Sequence, residues 1–204
     1  MSDRKAQAVI LAAGVSSRVG KQKLLMDFRG RALIEYPIAA AQRWSPIAVV
    51  GPDVGAYLDG RSDVALLHND TPALGMSHSL ALANRFLPSD LALIVVLGDK
   101  PLVSETLIET ICMAAADADV VYPLYDDEPG HPVWLSPQAR LRIDDLPPGD
   151  TLRLLRTHPD LVQRAIETRD CGAVFDVDTI DELQDSPIGH HSPNAYMLPS
   201  PEPT

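Results

Sequence analysis

Short apolar runs alternate with longer segments of helical periodicity along the first part of the chain. QAVILAA (7–13) and LALIVVLGD (91–99) are almost continuously apolar, which is typical of strands buried on both faces. The runs PIAVVG (46–51), DVALLHN (63–69) and DVVYP (119–123) predict three further strands.

Helical periodicity fills the intervals between these strands. It predicts helices over 31–44, over 76–87 and from about Ser104 to Ala118, with a kink at Pro37 in the first of them. Strands that alternate with helices are typical of a three-layer, Rossmann-like α/β fold with a mainly parallel sheet. Ligands of such sheets bind beyond the carboxyl ends of the strands.

The second part of the chain is less regular. GHPVWLS (130–136) predicts a strand, GDTLRLLRTH (149–158) a short helix, and LVQRAIE (161–167) and GAVFDVD (172–178) two more strands. If one of these strands pairs antiparallel to its neighbours, the central sheet is mixed.

The pattern predicts one domain over residues 1–185 and a disordered tail over residues 186–204, which contain five prolines and little periodicity. No run approaches the roughly 20 apolar residues that a membrane span requires. The chain begins with a charged segment and a short apolar run that is better interpreted as a strand than as a leader. We therefore expect a cytoplasmic protein that does not associate with membranes.

Composition excludes two classes of partner or site. The 204 residues include 28 acidic and 17 basic side chains, for a net charge of -11, so the molecule as a whole repels polyanions such as nucleic acids. The two cysteines, Cys112 and Cys171, lie far apart in the sequence, which argues against a disulfide framework or a zinc site. We expect both to be buried thiols.

The positive charge is concentrated in one place. Fourteen residues contain a single acid and these five bases: Arg18, Lys21, Lys23, Arg29 and Arg31. One interpretation is a solvated loop. The alternative is a local binding site for an anion, because the cluster directly follows a predicted buried strand.

The loop itself differs from two common phosphate-binding motifs. Gly14 is separated from the next Gly-Lys pair by five residues instead of the four of an ATPase P-loop, and Gln22 replaces its metal-binding hydroxyl. The small residues Gly14, Ser16 and Gly20 nevertheless let backbone N–H groups approach an anion. The loop therefore predicts a triphosphate site.

LAAGVSSRVGKQKLL (11–25) resembles the LxxGxGxRxGxxK loop of nucleotidyltransferases, in particular of the molybdenum cofactor cytidylyltransferase family within the MobA-like NTP transferases. Four more segments agree in order and spacing: ALGMSHSL (73–80), LGDKPLV (97–103), GHPV (130–133) and DVDTIDEL (176–183). The resemblance implies a nucleotidyltransferase fold. It also implies transfer of a nucleoside monophosphate from an NTP to an acceptor phosphate, with release of pyrophosphate.

The resemblance implies a role for each motif. Arg18 and Lys23 would hold triphosphate oxygens and act in catalysis with Asp99 and Mg²⁺. The nucleotide-binding residues would be Leu11, Ala12, Ala13, Gly14, Ser16, Arg18, Gly20, Lys23, Gly75, Met76 and Ser77. Ser77 could instead be a simple N-cap.

Asp99 is the first candidate metal ligand, because it ends an apolar strand where open α/β sheets place their chemistry. The alternative is a helix cap, but Ser104 is better placed for that role. The resemblance implies Asp178 as a second ligand, with Asp176 nearby, although either could cap the helix that follows.

The segment Gly130, His131 and Pro132 would lie near the acceptor. A lone histidine is more often a packing or hydrogen-bonding residue than a catalyst, and the sequence offers it no nucleophilic partner. Lys100 stands where relatives usually have glutamine, and GDTLRLL (149–155) is shorter than the corresponding element of the family. These departures bear on the acceptor more than on the nucleotide.

Ala13 gives the form LAAG that is typical of the cytidylyl branch, so the resemblance favours CTP over GTP. It implies a molybdopterin acceptor and, as a partner, a molybdenum hydroxylase or its maturation factor. Two alternatives stay open: an enzyme that acts on a sugar or polyol phosphate, and a module that delivers the cofactor without turnover. The presence of Lys23 and Asp99 favours catalysis.

Overall fold

The computed structural model describes residues 6–14, 22–145, 147 and 152–177 of the chain. The strands in these ranges are β1 (Ala6–Ala12), β2 (Asp27–Phe28), β3 (Arg31–Ala32), β4 (Ile47–Val50), β5 (Ala65–His68), β6 (Ala92–Leu97), β7 (Val120–Tyr125), β8 (Glu128–Pro129), β9 (Val133–Leu135) and β10 (Gln163–Glu167). The α-helices are α1 (Glu35–Ala40), α2 (Pro52–Leu58), α3 (Gly75–Phe86), α4 (Glu105–Met113), α5 (Pro137–Arg140) and α6 (Leu152–Arg156).

Eight strands form the central sheet in the spatial order β10-β7-β9-β6-β1-β4-β5, with β8 paired to β7. β9 runs antiparallel to both of its neighbours, β6 and β7, whereas β1 is parallel to β4 and β6, β4 to β5, and β7 to β10. β2 and β3 form a separate antiparallel hairpin. The predicted mainly parallel, mixed sheet is thereby confirmed.

Alternate residues of each central strand face opposite layers. In β1, Ala8 and Ile10 pack into a buried cluster with α1, α2 and α4, whereas Val9 and Leu11 pack into a second cluster with α3, α5 and α6. Burial on both faces explains why β1 and β6 are continuously apolar in the sequence. The two clusters confirm the predicted three-layer α/β architecture.

The chain reverses direction across the sheet at β1. β4 and β5 extend from one side of β1, whereas β6 and all later strands of the sheet lie on the other side. At such a switch point the loops that follow neighbouring strands diverge and leave a crevice at the carboxyl edge. The residues that follow β1 and β6 are therefore placed next to each other.

The helix predicted over 31–44 is wrong in extent. Asp27 accepts a hydrogen bond from the Gly30 amide at 3.2 Å, and Gly30 has a φ of +86°, so a tight turn carries Arg31 into the β2–β3 hairpin. The helix that follows, α1, begins only at Glu35. Pro37 lies in its first turn, where a missing N–H is tolerated, so it causes no kink of the kind predicted.

The helix predicted from Ser104 to Ala118 is confirmed at its start and shorter at its end. The hydroxyl of Ser104 accepts a hydrogen bond from the Leu107 amide at 3.1 Å, as expected of an N-cap. The helix ends at Met113, where the Ala115 amide bonds to the Cys112 carbonyl in a tighter turn.

The strand predicted over 172–178 is wrong. Asp170 caps a short 3₁₀ turn over Cys171–Ala173 by accepting a hydrogen bond from the Gly172 amide at 2.9 Å. A Cβ atom on Gly172 would lie 2.6 Å from the Leu102 carbonyl carbon, so this segment packs against the loop after β6 instead of pairing with a strand. Ala173 and Val177 are buried and Phe175 is half-buried against the first apolar cluster, which explains the strand-like pattern.

No helix in the described ranges is long and apolar enough to cross a membrane.

Cys112 and Cys171 are free thiols, and both are half-buried, whereas the sequence predicted buried thiols. The predicted boundary at residues 185 and 186 lies outside the described residues and stays a prediction.

Candidate functional site

An ion pair joins the loops that follow β1 and β6. The ammonium of Lys23 lies 3.1 Å from Oδ2 of Asp99, and only 17% and 26% of the two side chains are exposed. Seventy-six positions separate the two residues in sequence, yet the parallel pairing of β1 and β6 places them at the same edge of the sheet. The structure therefore brings together two of the three residues that sequence reasoning selected for catalysis; the third, Arg18, lies outside the described residues.

Gly98 allows the two strands to approach closely at this edge. Its amide donates a hydrogen bond to the Leu11 carbonyl at 3.0 Å. A Cβ atom at this position would lie 3.2 Å from that carbonyl oxygen and 3.0 Å from the Ile34 side chain. A glycine immediately before Asp99 thus fixes the position from which the carboxylate extends.

The role of Asp99 as a helix cap is excluded within the described residues, because Ser104 caps α4. The carboxylate of Asp99 instead faces Lys23. Its backbone carbonyl accepts a hydrogen bond from the Val177 amide at 3.2 Å, so the end of the described chain is tied to this edge of the sheet. Asp178, the next residue in sequence, lies outside the described residues, and its role as a ligand stays a prediction.

Lys100 forms a hydrogen bond with the 171–177 segment. It is 5% exposed, and its ammonium donates a hydrogen bond to the Val174 carbonyl at 2.7 Å. The extra charge that the sequence places beside Asp99 therefore helps to hold the 171–177 segment.

The segment between β5 and α3 is organised by a residue that sequence reasoning missed. Asn69 is 1% exposed; its side chain donates to Ser79 at 3.0 Å and accepts from the Thr71 amide at 2.9 Å. These bonds fix the loop to α3, and leaving such buried groups unpaired would cost about 1–3 kcal/mol each. An asparagine that directly follows a strand and precedes a turn was the available sequence signal.

The predicted base-binding residues open α3. Gly75 has a φ of +85°, a conformation that favours glycine and that turns the chain into the helix. Met76 is half-buried against the second apolar cluster. Ser77 is buried in the first turn of α3, which begins at Gly75, so the alternative that Ser77 is the N-cap is wrong.

The predicted acceptor segment packs tightly between β8 and β9. A Cβ atom on Gly130 would lie 2.8 Å from the carbonyl carbon of Ala173, and the His131 amide donates to that carbonyl oxygen at 2.8 Å. The peptide bond between His131 and Pro132 is cis. Only a glycine fits this approach, so Gly130 has a packing role whatever its part in binding.

The imidazole of His131 is held neutral. Burial lowers its pKa to about 3, with further contributions from the positive charges of Lys100 and Arg156. Its Nδ1 lies 3.4 Å from the Val95 carbonyl oxygen. A neutral ring at physiological pH can exchange hydrogen bonds with a ligand but cannot pair with an anion as a cation.

We expect His131 to make the protein sensitive to acid. The unfolded chain takes up this proton near pH 6.5 and the folded chain only near pH 3, so the free energy of unfolding falls as pH decreases below about 6.5 and is unaffected above it. Urea unfolding at pH 7.5 and 5.0 should show a smaller loss for His131→Gln than for the wild type. The exposed His68 provides the control, and an equal benefit from His68→Gln would contradict the assignment.

The remaining predicted residues divide into two groups. Leu11, Ala12 and Ala13 are buried in or just after β1, so only their backbone groups are available to a nucleotide. Gly14 follows them and is exposed. The predicted residues that lie outside the described ranges are Ser16, Arg18, Gly20 and Asp178.

The basic cluster is split by the fold. Lys23 alone of its described members pairs with Asp99, whereas Arg29 and Arg31 belong to the β2–β3 hairpin. Arg29 is exposed, with its guanidinium 5.2 Å from the Phe28 ring centroid. For these two arginines the solvated interpretation fits better than binding at the Lys23–Asp99 pair.

Two relatives resemble the chain to different extents. The molybdenum cofactor cytidylyltransferase of Escherichia coli (strain K12) is 24% identical over 180 residues, which cover 86% of this chain and 92% of that protein. The bifunctional protein GlmU of Neisseria gonorrhoeae is 31% identical over 140 residues, which cover 66% of this chain but only 30% of GlmU.

Two solved structures share the fold. An Rv0371c homolog from Mycobacterium sp. strain JC1 aligns with a TM-score of 0.78 at 24% identity, over 89% of this chain and 94% of that one. Rv0371c of Mycobacterium tuberculosis H37Rv, in complex with manganese, aligns with a TM-score of 0.70 at 24% identity, over 88% and 96% of the two chains.

A family model, described as the MobA-like NTP transferase domain, matches residues 8–164. The match includes every strand of the central sheet in whole or in part, together with Lys23 and Asp99. The chain therefore belongs to the MobA-like NTP transferase domain family and is a nucleotidyltransferase.

Proposed function

We propose that the protein transfers CMP from CTP to the phosphate of a molybdopterin-type acceptor, in a reaction that depends on Mg²⁺. The observation that carries this proposal is the largely buried Lys23–Asp99 ion pair at the carboxyl edge of β1 and β6. It supplies a cation for phosphate oxygens and a carboxylate for a divalent metal at one point.

In the proposed reaction an oxygen of the acceptor phosphate attacks the α-phosphorus of CTP. The bond from that phosphorus to the oxygen bridging to the β-phosphorus breaks, and pyrophosphate leaves. Such a displacement depends on positioning two anions against each other and on neutralising the charge that they share. Lys23 would neutralise triphosphate oxygens, and the loop after β1 would add backbone N–H groups.

The residues at this edge fit a Mg²⁺ site. Asp99 directs one carboxylate oxygen to Lys23 and has the other available, and Val177 brings the chain that leads to Asp178 to the same place. Within the described ranges, metal-ligating side chains form no group of three or more. A site with one or two carboxylates suits Mg²⁺, which retains several waters and, when bound, neutralises phosphate charge.

The choice of CTP is supported by Ala13 and by the similarity to the E. coli cytidylyltransferase over most of both chains. The acceptor is supported by the same similarity and by the GHPV segment, which packs beside β6. A molybdenum hydroxylase, or the factor that matures it, would be the protein partner that receives the product.

The test is pyrophosphate release with Mg²⁺ and each of CTP, GTP, ATP and UTP, with and without molybdenum-loaded molybdopterin. We expect release only when the pterin is present, fastest with CTP and slower with GTP. Faster turnover with GTP would identify a guanylyltransferase. Turnover with a sugar or polyol phosphate, and none with the pterin, would overturn the assignment of a molybdopterin-type acceptor. Binding of CTP and of the pterin without turnover would favour a delivery role.

A further inference from the structure

A half-buried arginine at the end of α6 has no anionic partner among the described residues. Arg156 ends α6, and its guanidinium carbon lies 5.3 Å from the centroid of the Tyr122 ring. Its Nη1 is buried and has no hydrogen-bond partner, and no described carboxylate forms an ion pair with it. Burial lowers the pKa of Arg156, and the contribution that opposes it comes from the Tyr122 hydroxyl and not from a described carboxylate.

Two other arginines with buried nitrogen atoms, Arg140 and Arg142, are compensated. Arg140, 3% exposed, donates hydrogen bonds to the Asn84 side chain and to four backbone carbonyl oxygens. Arg142 also has one buried nitrogen without a hydrogen bond, but its guanidinium pairs with Asp145 and Asp160. Arg156 is thus distinguished by having neither a carboxylate nor a full set of acceptors.

Such an arrangement destabilises the free protein. A half-buried cation without a counter-charge is partly desolvated at a cost, and its buried N–H without an acceptor adds to that cost. An arriving oxyanion would remove both costs, because the guanidinium fork matches the geometry of phosphate-type oxygens. Uncompensated charges of this kind cluster at functional sites.

The position of Arg156 connects it to the candidate site. Tyr122 and Leu97 both pack against the second apolar cluster, which also contains residues of α6. Therefore α6 covers the same face of the sheet as Leu97. Leu97 lies two residues before Asp99 in the sequence. Arg156 also acts on the charge state of His131, in the GHPV segment. β7 is two strands from β6, about 10 Å, on the side away from β1 and Lys23. An anion at Arg156 is therefore on the acceptor side.

We propose that Arg156 binds a phosphate-type oxyanion of the acceptor, in a subsite that it forms with Tyr122. The identification of the oxyanion with the acceptor rests on the proposed function. The existence of an anion site at Arg156 does not.

The first experiment uses no turnover. Thermal unfolding of the full chain is measured in increasing inorganic phosphate at constant ionic strength. We expect the wild-type melting temperature to rise by about 3 °C at tenfold the dissociation constant, and the rise to disappear in Arg156→Gln. Arg156→Lys keeps the charge without the planar guanidinium and should retain part of the rise in melting temperature. This variant replaces Arg156→Gln in the test if the glutamine variant does not fold.

Two controls separate this site from others. Arg43 also lies over an aromatic ring, 5.5 Å from the Trp44 centroid, but it is exposed and paired with Glu105 and Glu109, so Arg43→Gln should keep the full rise. Lys23→Ala should keep the part of the rise in melting temperature that depends on Arg156.

A phosphate-dependent rise in melting temperature that is the same in Arg156→Gln as in the wild type would overturn the proposal. So would a rise in the wild type that chloride reproduces, since an adventitious ion effect would then explain it.

The second experiment assigns the oxyanion. In Arg156→Gln we expect KM for the acceptor to increase 10- to 100-fold while KM for CTP stays within twofold. An increase confined to KM for CTP would place the triphosphate at Arg156 and overturn the assignment to the acceptor. If no acceptor is turned over by the wild type while the phosphate effect still depends on Arg156, the proposed function fails and the anion site stands.

Discussion

Asp99→Asn should lower kcat for nucleotidyl transfer about 1,000-fold, equivalent to about 4 kcal/mol of transition-state stabilisation. The amide keeps the size of the carboxylate and an oxygen that can accept from Lys23, 3.1 Å away in the wild type. It loses the negative charge that would hold a divalent cation against the phosphates. Pyrophosphate release at saturating CTP and acceptor, with Mg²⁺ and with Mn²⁺, measures the effect.

A matched control for Asp99→Asn is available far from the sheet edge. Asp63 also accepts from a basic side chain, that of Arg61 at 2.7 Å, within an ion pair outside the candidate site. Asp63→Asn should leave kcat within twofold of the wild type. Activity of Asp99→Asn within tenfold of the wild type, in protein of unchanged melting temperature, would remove Asp99 from the metal site.

Lys23→Ala should lower kcat/KM for CTP by about 100- to 1,000-fold, mostly through KM. The ammonium is the one described positive charge paired with Asp99, and its loss removes attraction for the triphosphate in the free enzyme and in the transition state. Titration of CTP binding in the presence of Ca²⁺ or Mg²⁺ without acceptor measures the ground-state part. Initial rates measure the remainder.

Arg85→Ala is the control for Lys23→Ala, because it removes an exposed ion pair to Asp144, 2.9 Å long, on the outer surface of α3. Exposed pairs contribute about 0–1 kcal/mol, so its kinetic constants should be unchanged. If Lys23→Ala bound and converted CTP as the wild type does, the ion pair with Asp99 would be structural, and the nucleotide would have to be held elsewhere.

The two variants should also differ in kind. Lys23→Ala acts on the affinity for the nucleotide, whereas Asp99→Asn spares much of that affinity and removes turnover. This difference follows from charge, because a lysine attracts the phosphates directly and a carboxylate attracts them only through a cation. A pattern in which both variants lose binding equally would indicate that the ion pair is needed to shape the loop after β1.

The sequence by itself determined the layers of the fold and predicted the location of the chemistry. Continuous apolar runs identify β1 and β6 as buried strands, and the alternation of strands with helices predicts that their carboxyl ends share an edge. Lys23 and Asp99 could be selected because both follow such strands. Local rules also placed Ser104 at the start of α4, since capping depends on neighbouring residues alone.

Only the tertiary structure decided the features that depend on contacts between distant segments. The apolar residues of 172–178 have the pattern of a strand, but Gly172 packs against Leu102 and the segment never pairs with the sheet. The role of Asn69 and the pairing of Lys100 with Val174 depend on which oxygens lie within about 3 Å. Sequence periodicity records which face is buried, not what buries it.

The contrast is sharpest at Arg156. In the sequence it is one of several basic residues in a short amphipathic helix, and nothing in its neighbours sets it apart. The fold buries one of its nitrogens over Tyr122, away from every described carboxylate. Whether a charge is compensated is a property of the space around it, so the sequence predicted a nucleotide site at Lys23 and Asp99, while only the tertiary structure showed that Arg156 has no described carboxylate partner.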